Sequence, residues 1–340
     1  MEKSILIIYT GGTIGMKQDP ETGALAPFNF EQIAEEVPEL KKFGFKLETY
    51  SFSPLVDSSD IQPDFWVELA LLIKESYHKH DGFVILHGTD TMSFTASALS
   101  FMLRHLAKPV ILTGSQLPIG MLRTDGKENL ISAVEVAAEQ RDGLPLVQEV
   151  CVFFQNYLFR GNRTTKYNAE NFNAFRSENY PPLAEAGITI RYNPSVKYRA
   201  KKDLVVHTAL DMNVTTLRLF PGIQPQVVDA VFSIKGLKAV ILETFGSGNA
   251  PTSPWFLDRI KKATEQGIIV LNVTQCIAGK VEMDLYDTGL RLKKAGVLSG
   301  YDSTIEAALT KLMYLLGRYK ANFEDVKKML AASISGEISI

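Results

Sequence analysis

Thr13 lies between two glycines, in the pattern Gly11-x-Thr13-x-Gly15, directly after the apolar run at residues 5–8. A β-branched run that ends in glycines predicts a buried parallel strand and then a tight turn, at the strand end where open α/β sheets bind ligands. The pattern has the form of a nucleophile elbow in which threonine replaces serine, and its glycines leave backbone N–H groups free to face an anionic oxygen. A phosphate-cradling turn, or a plain connection from strand to loop, would give the same local pattern.

Polar turns also follow three further predicted strands, at residues 46–52, 83–87 and 109–113. The carboxyl ends of parallel strands meet at one edge of a sheet, so side chains from distant parts of the chain are expected in a single pocket. At residues 57–60 helix capping is an alternative to ligand binding, although capping does not account for four polar residues. The candidates for the pocket are Thr13, Ser58, Ser59, Thr89, Asp90 and Ser115.

Strands that alternate with helices of ten or more residues predict an α/β fold with a parallel sheet and helices on both faces. We place this larger, flavodoxin/Rossmann-like domain at residues 1–190. Paired prolines and a basic run within residues 179–202 indicate a linker, which we place at 191–212. Strand-like segments at 214–220, 239–244 and 268–273, separated by helical patterns, predict a smaller α/β domain at 213–340.

Composition favours a small-molecule partner. The net charge of the 340 residues is -2 with the basic residues scattered, which indicates neither a nucleic-acid footprint nor a membrane-binding face. No apolar run approaches the ~20 residues of a membrane span, and the first residues lead straight into a strand, so we expect a cytoplasmic protein. Cys151 and Cys276 are expected to be buried free thiols. Among the histidines only His78 and His80 lie close together, with no cysteine or carboxylate cluster of ligand spacing beside them, so a metal site is not indicated.

The common catalytic and nucleotide-binding motifs are missing from the sequence. The glycines at 11, 12 and 15 do not fit the Gly-x-Gly-x-x-Gly register of dinucleotide sites, and neither the P-loop pattern nor Gly-x-Ser-x-Gly occurs. Hydroxyl chemistry by a threonine remains. Because a threonine hydroxyl is a poor nucleophile, it would need a lysine paired with a carboxylate, or a tyrosine, to take its proton.

Two segments, TGGTIG at residues 10–15 and HGTDTM at residues 87–92, resemble the two signatures of the L-asparaginases. Further matches to the cytoplasmic type I branch of that family run along nearly the whole chain. They are DSSD at 57–60, TGSQ at 113–116, GNRTTK at 161–166, GSGNAP at 246–251 and NVTQC at 272–276.

The resemblance implies that Thr13 attacks the side-chain amide carbon of asparagine, forms a β-aspartyl enzyme and releases ammonia before water hydrolyses the ester. It implies a second catalytic group in which Asp90 holds Lys166 and Lys166 tunes Thr89 for proton transfer. No metal or organic cofactor is implied. The implied substrate-binding residues are Asp57, Ser58, Ser59, Thr89, Asp90 and Ser115, with Asp90 receiving the substrate α-ammonium.

The sequence departs from the family at two places. Many members carry a tyrosine in the loop that follows the nucleophile, but residues 16–30 contain none, and Tyr286 in MDLYDTG matches the position of a later tyrosine in some relatives. That loop itself is expected to be a lid beside the site or a β-hairpin without a catalytic part. Type I enzymes can bind asparagine at an allosteric site with an arginine where Glu243 stands here, so inherited allostery is in doubt although Thr165 and Cys276 match.

The resemblance implies a homodimer or a homotetramer that hydrolyses L-asparagine. An asparaginase/glutaminase of broader specificity and an amidotransferase component are alternatives, although a component of that kind would normally carry a further domain. A noncatalytic asparagine sensor is an alternative from another class. The intact set of Thr13, Thr89, Asp90 and Lys166 argues against the sensor.

Overall fold

The computed structural model describes residues 3–18, 25–27, 35–194, 200, 202–320 and 322–340. Two compact units divide between Thr208 and Ala209, within the stretch 191–212 that we predict as linker. Parts of that stretch belong to strands of the first unit, Ile190–Tyr192 and Val205–Val206. The linker at 191–212 stays a prediction, although residues 191, 192, 205 and 206 within it pair with strands of the first unit.

The first unit is built on an eight-stranded mixed sheet. Its strands are β1 (Ser4–Tyr9), β4 (Lys46–Ser51), β5 (Gly82–Leu86), β7 (Val110–Thr113), β10 (Val150–Phe154), β11 (Tyr157–Arg160), β14 (Ala184–Ala186) and β15 (Ile190–Tyr192). The parallel part has the order β4-β1-β5-β7-β10, and the antiparallel strands β11, β14 and β15 extend the β10 edge. Numbered along the chain, the five parallel strands thus have the order 2-1-3-4-5, the flavodoxin-like arrangement.

The central strands are buried on both faces because nearly all of their residues are apolar. Ile5 and Ile7 of β1 pack in one cluster with Leu130 and Val134, whereas Leu6 and Ile8 alternate to the opposite face and are buried as well. The helices of this unit are α1 (Pro63–Ser76), α2 (Met92–Met102) and α3 (Gly126–Ala138).

Short antiparallel pairs complete the first unit. Helix α2 ends at Met102, because Leu103 and Arg104 form a strand and His105 takes a positive φ of 62°. The pairs are β2 (Met16–Gln18) with β3 (Leu25–Pro27), β6 (Leu103–Arg104) with β16 (Val205–Val206), β8 (Gln140–Arg141) with β9 (Leu144–Pro145), and β12 (Thr165–Lys166) with β13 (Phe175–Arg176). The proposed lid at 16–30 thus contains a strand pair, and its residues 19–24 and 28–30 lie outside the described residues.

The second unit contains a four-stranded parallel sheet with the order β17-β18-β19-β20. The prediction of a larger parallel-sheet domain followed by a smaller α/β domain is confirmed. Over the described residues, no helix is long and apolar enough to cross a membrane. The elements are β17 (Val214–Arg218), α4 (Pro225–Phe232), β18 (Ala239–Thr244), α5 (Pro254–Glu265), β19 (Ile269–Thr274), α6 (Asp287–Lys294), β20 (Leu298–Ser299), α7 (Ile305–Tyr319) and α8 (Phe323–Leu330).

Candidate active site

The turns after β1 and β5 lie side by side at the point where the strand order reverses. Tyr9 and Leu86 are partners in register, so the two strands end at the same level. Thr10 fastens the turns together, since its backbone N–H and its hydroxyl both donate to the Leu86 carbonyl, at 3.0 and 2.9 Å. Open α/β sheets bind their ligands at this switch point, and Thr13 follows one strand while Thr89 follows the other.

Glycines allow the two turns to touch. A Cβ on Gly12 would lie 2.5 Å from both N and Cα of Gly88, and Gly12 has a φ of +90°. A Cβ on Gly11, where φ is +130°, would lie 2.3 Å from the Val56 carbonyl oxygen. Any side chain at either position would therefore push apart the backbone that brings Thr13 toward the Thr89 turn.

Thr13 begins a short 3-10 turn that a side chain of β1 anchors. The buried Tyr9 hydroxyl donates to the Gly15 carbonyl at 2.9 Å, and burial raises the pKa of Tyr9, so the phenol stays protonated. Among the described residues, the backbone N–H groups of Gly11, Gly12 and Thr13 have no acceptor. Free N–H groups around a half-exposed hydroxyl can receive the oxygen of a substrate carbonyl as it becomes negative.

Lys166 brings the second group of polar side chains together. Its ammonium donates to the Thr89 hydroxyl at 2.8 Å and to Asp90 Oδ1 at 2.6 Å. The Lys166 side chain is 17% exposed, whereas that of Asp90 is 64% exposed. Strand β12 holds Lys166 opposite Phe175, a core residue, which sets the direction from which the lysine reaches Thr89. The structure thus joins three of the residues that the resemblance implies.

Gln116 is a further neighbour of Thr89 that the sequence reasoning missed. The Thr89 hydroxyl donates to Gln116 Oε1 at 3.2 Å, while Gln116 Nε2 donates to the carbonyls of Ala169 and Asn171 at 3.1 and 3.3 Å. Because those carbonyls only accept, they fix the orientation of the amide. The Asp125 carboxylate holds the Gln116 backbone N–H at 3.0 Å. The TGSQ segment contained the signal, but we assigned a role only to its serine.

Asp57, Ser58 and Ser59 follow β4 and reach the Thr89 turn. Ser58 is buried against Gly88, where a Cβ would lie 2.5 Å from Ser58 Oγ. Asp57 accepts the N–H and the hydroxyl of Ser59 at 2.8 and 2.7 Å, and these hydrogen bonds lower the pKa of Asp57. Asp57 therefore caps its own 3-10 turn, Ser58–Asp60, and remains exposed on the side away from the cap.

Ser115 and Thr165 are the remaining candidates in the first unit. Ser115 is buried and donates to the Leu117 carbonyl of its own loop. Thr165 is on β12, next to Lys166, in the first unit.

The other three candidates belong to the second unit. Tyr286 is the residue before α6 and is 52% exposed. Glu243, on β18, pairs with Arg218 at 3.5 Å. Cys276 is exposed, so the expectation that both thiols are buried is wrong, because its segment ends after β19 and turns outward; Cys151 is buried in β10.

Comparisons with known proteins cover both units. Residues 4–198 match the family model described as "Asparaginase, N-terminal", and residues 213–330 match "Glutaminase/Asparaginase C-terminal domain". The chain is 44% identical to L-asparaginase 1 of Escherichia coli K12 over 340 residues, which is 99% of this chain and 98% of that protein.

Two further relatives extend the comparison. The chain is 43% identical to the mouse 60 kDa lysophospholipase over 367 residues, 100% of this chain, but spans only 63% of that protein's length. Among solved structures, L-asparaginase I from Vibrio cholerae superposes with a TM-score of 0.91 at 44% identity, over 100% of both chains.

Proposed function

The chain belongs to the asparaginase family, and from that premise we propose that it hydrolyses L-asparagine to L-aspartate and ammonia, with Thr13 as the nucleophile. The observation that carries the proposal is the switch point itself. There the Thr13 turn touches the turn of Thr89, and Thr89 is held by Lys166 and Asp90. Two hydroxyls that come from neighbouring strand ends can serve the two halves of an acyl transfer.

In the first half, Thr13 Oγ1 attacks the side-chain amide carbon, and its proton passes to the leaving nitrogen. The new C–O bond forms as the C–N bond breaks, so that ammonia leaves and a β-aspartyl ester remains on Thr13. The amide oxygen is negative in the tetrahedral state. The N–H groups of Gly11, Gly12 and Thr13, which have no acceptor among the described residues, are placed to stabilise it.

In the second half, water attacks the ester carbon, the C–O bond to Thr13 breaks, and the Thr13 hydroxyl is restored. Thr89, held by Lys166, relays the proton of the water to Thr13 Oγ1, and Asp90 keeps the lysine in place. The exposed Asp90 carboxylate is also available to the α-ammonium of the substrate, and the Ser58 turn is proposed to bind its α-carboxylate.

Ammonia release from asparagine and from glutamine, each over a concentration series, tests the proposal. We expect turnover with asparagine. Comparable kcat/KM for glutamine would replace the proposal with a broader asparaginase/glutaminase, and binding of asparagine without ammonia release would replace it with a sensor. If ammonia is released only when another substrate is present to accept it, the protein is an amidotransferase component.

Tyr286→Phe is expected to lower kcat by about 10²-fold, the lower range for loss of a positioned proton-transfer group. The proposal that Tyr286 relays the Thr13 proton rests on the missing tyrosine at residues 16–30 and on the family resemblance. The matched control is Tyr50→Phe, since Tyr50 is 43% exposed and Tyr286 is 52% exposed. Steady-state ammonia release decides the matter, and unchanged turnover in Tyr286→Phe would remove the relay role.

The rate of ammonia release is expected to depend hyperbolically on asparagine concentration. An effector carboxylate needs a cation, but the place of the family's arginine holds Glu243, whose carboxylate pairs with Arg218 at 3.5 Å. The same concentration series gives the curve. A Hill coefficient clearly above one would contradict the expectation and would restore Thr165 and Cys276 as candidate effector contacts.

The protein is also proposed to act in the cytoplasm as a homodimer or homotetramer, without nucleic acid or membrane. A net charge of -2 with scattered basic residues supports the absence of a polyanion or membrane partner, and the family resemblance supports the assembly. Light scattering on the purified chain measures the mass of the assembly directly.

A further inference from the structure

Three buried side chains form a hydrogen-bonded path from helix α1 to the Thr89 turn, and none of them has a role in the steps above. Trp66 Nε1 donates to Thr95 Oγ1 at 3.0 Å, Thr95 Oγ1 lies 2.9 Å from His87 Nε2, and His87 Nδ1 lies 2.6 Å from the Gly88 carbonyl oxygen. His87 and Thr95 are fully buried and Trp66 nearly so.

The chemistry of the two ends fixes the direction of every hydrogen bond in this path. An indole N–H can only donate, so Thr95 Oγ1 accepts from Trp66 and its own proton is left for His87 Nε2. His87 Nε2 is then an acceptor, and the ring proton of the neutral imidazole is on Nδ1. The Gly88 carbonyl can only accept, which is what a protonated Nδ1 requires.

Burial keeps the imidazole in this neutral state. Desolvation lowers the pKa of His87 to about 4, against the opposing effect of the Gly88 carbonyl. In the other neutral tautomer, a lone pair on Nδ1 would face the carbonyl oxygen at 2.6 Å, and the Thr95 hydroxyl proton would have no acceptor among these groups. Only one tautomer satisfies all four groups.

The Gly88 carbonyl belongs to the peptide that carries the Thr89 N–H. In a trans peptide the C=O and N–H bonds point in opposite directions, and the only cis bond in the described part of the chain is Ser53–Pro54. Since His87 holds the carbonyl toward the core, the Thr89 N–H points away from the core. Within the described residues it has no acceptor.

We propose that His87 is a positioning residue: by donating from Nδ1 to the Gly88 carbonyl, it aims the Thr89 N–H at the substrate oxygen that becomes negative in the reaction. The inference rests on the proposed function and adds to it the residue that orients the Thr89 N–H. The Gly12 backbone packs closely against N and Cα of Gly88, so the residue that carries this carbonyl is also held by the Thr13 turn. Thr95 and Trp66 set the tautomer that makes the ring a donor at Nδ1.

The tautomer is measured first, on the wild-type enzyme labelled with 15N-histidine. With only five histidines in the chain, the His87 ring is assigned by comparison with His87→Asn. We expect the Nδ1-protonated neutral form, with shifts that do not change between about pH 5.5 and 8 because the ring does not titrate there. An Nε2-protonated ring, or a ring that titrates in that range, would overturn the proposal without any turnover being measured.

Turnover tests the consequence. Thr95→Val removes the hydroxyl at nearly constant shape and is expected to lower kcat about tenfold with KM within about twofold, part of the ~10²–10³-fold cost of losing a transition-state donor. Thr95→Ser is expected to restore most of that loss. The matched control is Ser97→Ala on the same helix, because the buried Ser97 hydroxyl has no hydrogen-bond partner in the part of the chain that the structure describes.

The outcomes separate this inference from the proposed function. If the wild type releases no ammonia from asparagine, the proposed function fails, and the tautomer measurement still decides whether His87 holds the peptide. If the wild type is active but Thr95→Val and Thr95→Ser have equal kcat, His87 does not act through its tautomer. A loss seen only in KM would also overturn the proposal, because a donor aimed at the transition state acts on kcat.

Discussion

Thr13→Ala is expected to reduce ammonia release from asparagine by at least about 10⁴-fold, because the variant has no atom that can form the β-aspartyl ester. Thr13 is half-exposed at the start of its turn, and the turn is anchored by Tyr9 and by the glycines, not by the Thr13 hydroxyl. The fold and the binding of aspartate should therefore survive. Ammonia release and calorimetric binding of aspartate are the two measurements.

Thr13→Ser is the matched control, since it keeps the hydroxyl and removes one methyl group. It should retain a substantial part of the activity, whereas alanine should not. Residual turnover above about 1% in Thr13→Ala would show that Thr13 is not the nucleophile. Thr89 would then be the first candidate, because its hydroxyl lies at the same switch point.

The fold of the first unit could be predicted from its sequence because its central strands are short and almost wholly apolar, and each ends in a polar turn. Residues 83–87 and 109–113 form β5 and β7 nearly as predicted. Burial of both sheet faces makes such runs unambiguous. The antiparallel strands at 157–160, 184–186 and 190–192 were missed, because polar and apolar residues mix there and the proline pair at 181–182 suggests a linker.

The candidate site was predictable only in part. Local pattern placed Thr13 and Thr89 at strand ends, but the contact of Lys166 with Thr89 spans 77 positions and depended on the family resemblance. Spacing alone carries no information on such a pair, since β12 positions Lys166 by pairing with β13. The sequence also did not predict the path formed by His87, Thr95 and Trp66. A buried histidine and a buried threonine give the same sequence signal as ordinary core residues.

Lys166→Met is expected to lower steady-state turnover by about 10³-fold, within the range for loss of a general acid–base group. The variant removes the only described cation that contacts Thr89, so proton transfer from the attacking water becomes slower. Thr13 is left intact and can still be acylated. We therefore expect a rapid release of about one ammonia per site, followed by slow turnover, and an increase in protein mass by one aspartyl group.

Instability does not account for a loss of this size. Asp90, the ion-pair partner, is 64% exposed, and exposed pairs contribute about 1 kcal/mol or less to folding. Lys46→Met is the matched control, because Lys46 forms an equally short 2.6 Å pair with Glu48 on β4, away from the switch point. It should leave turnover unchanged. A Lys166→Met enzyme that loses the ammonia burst together with steady-state turnover would place Lys166 in the acylation half of the reaction, with Thr13, and would leave Thr89 without its assigned role in deacylation.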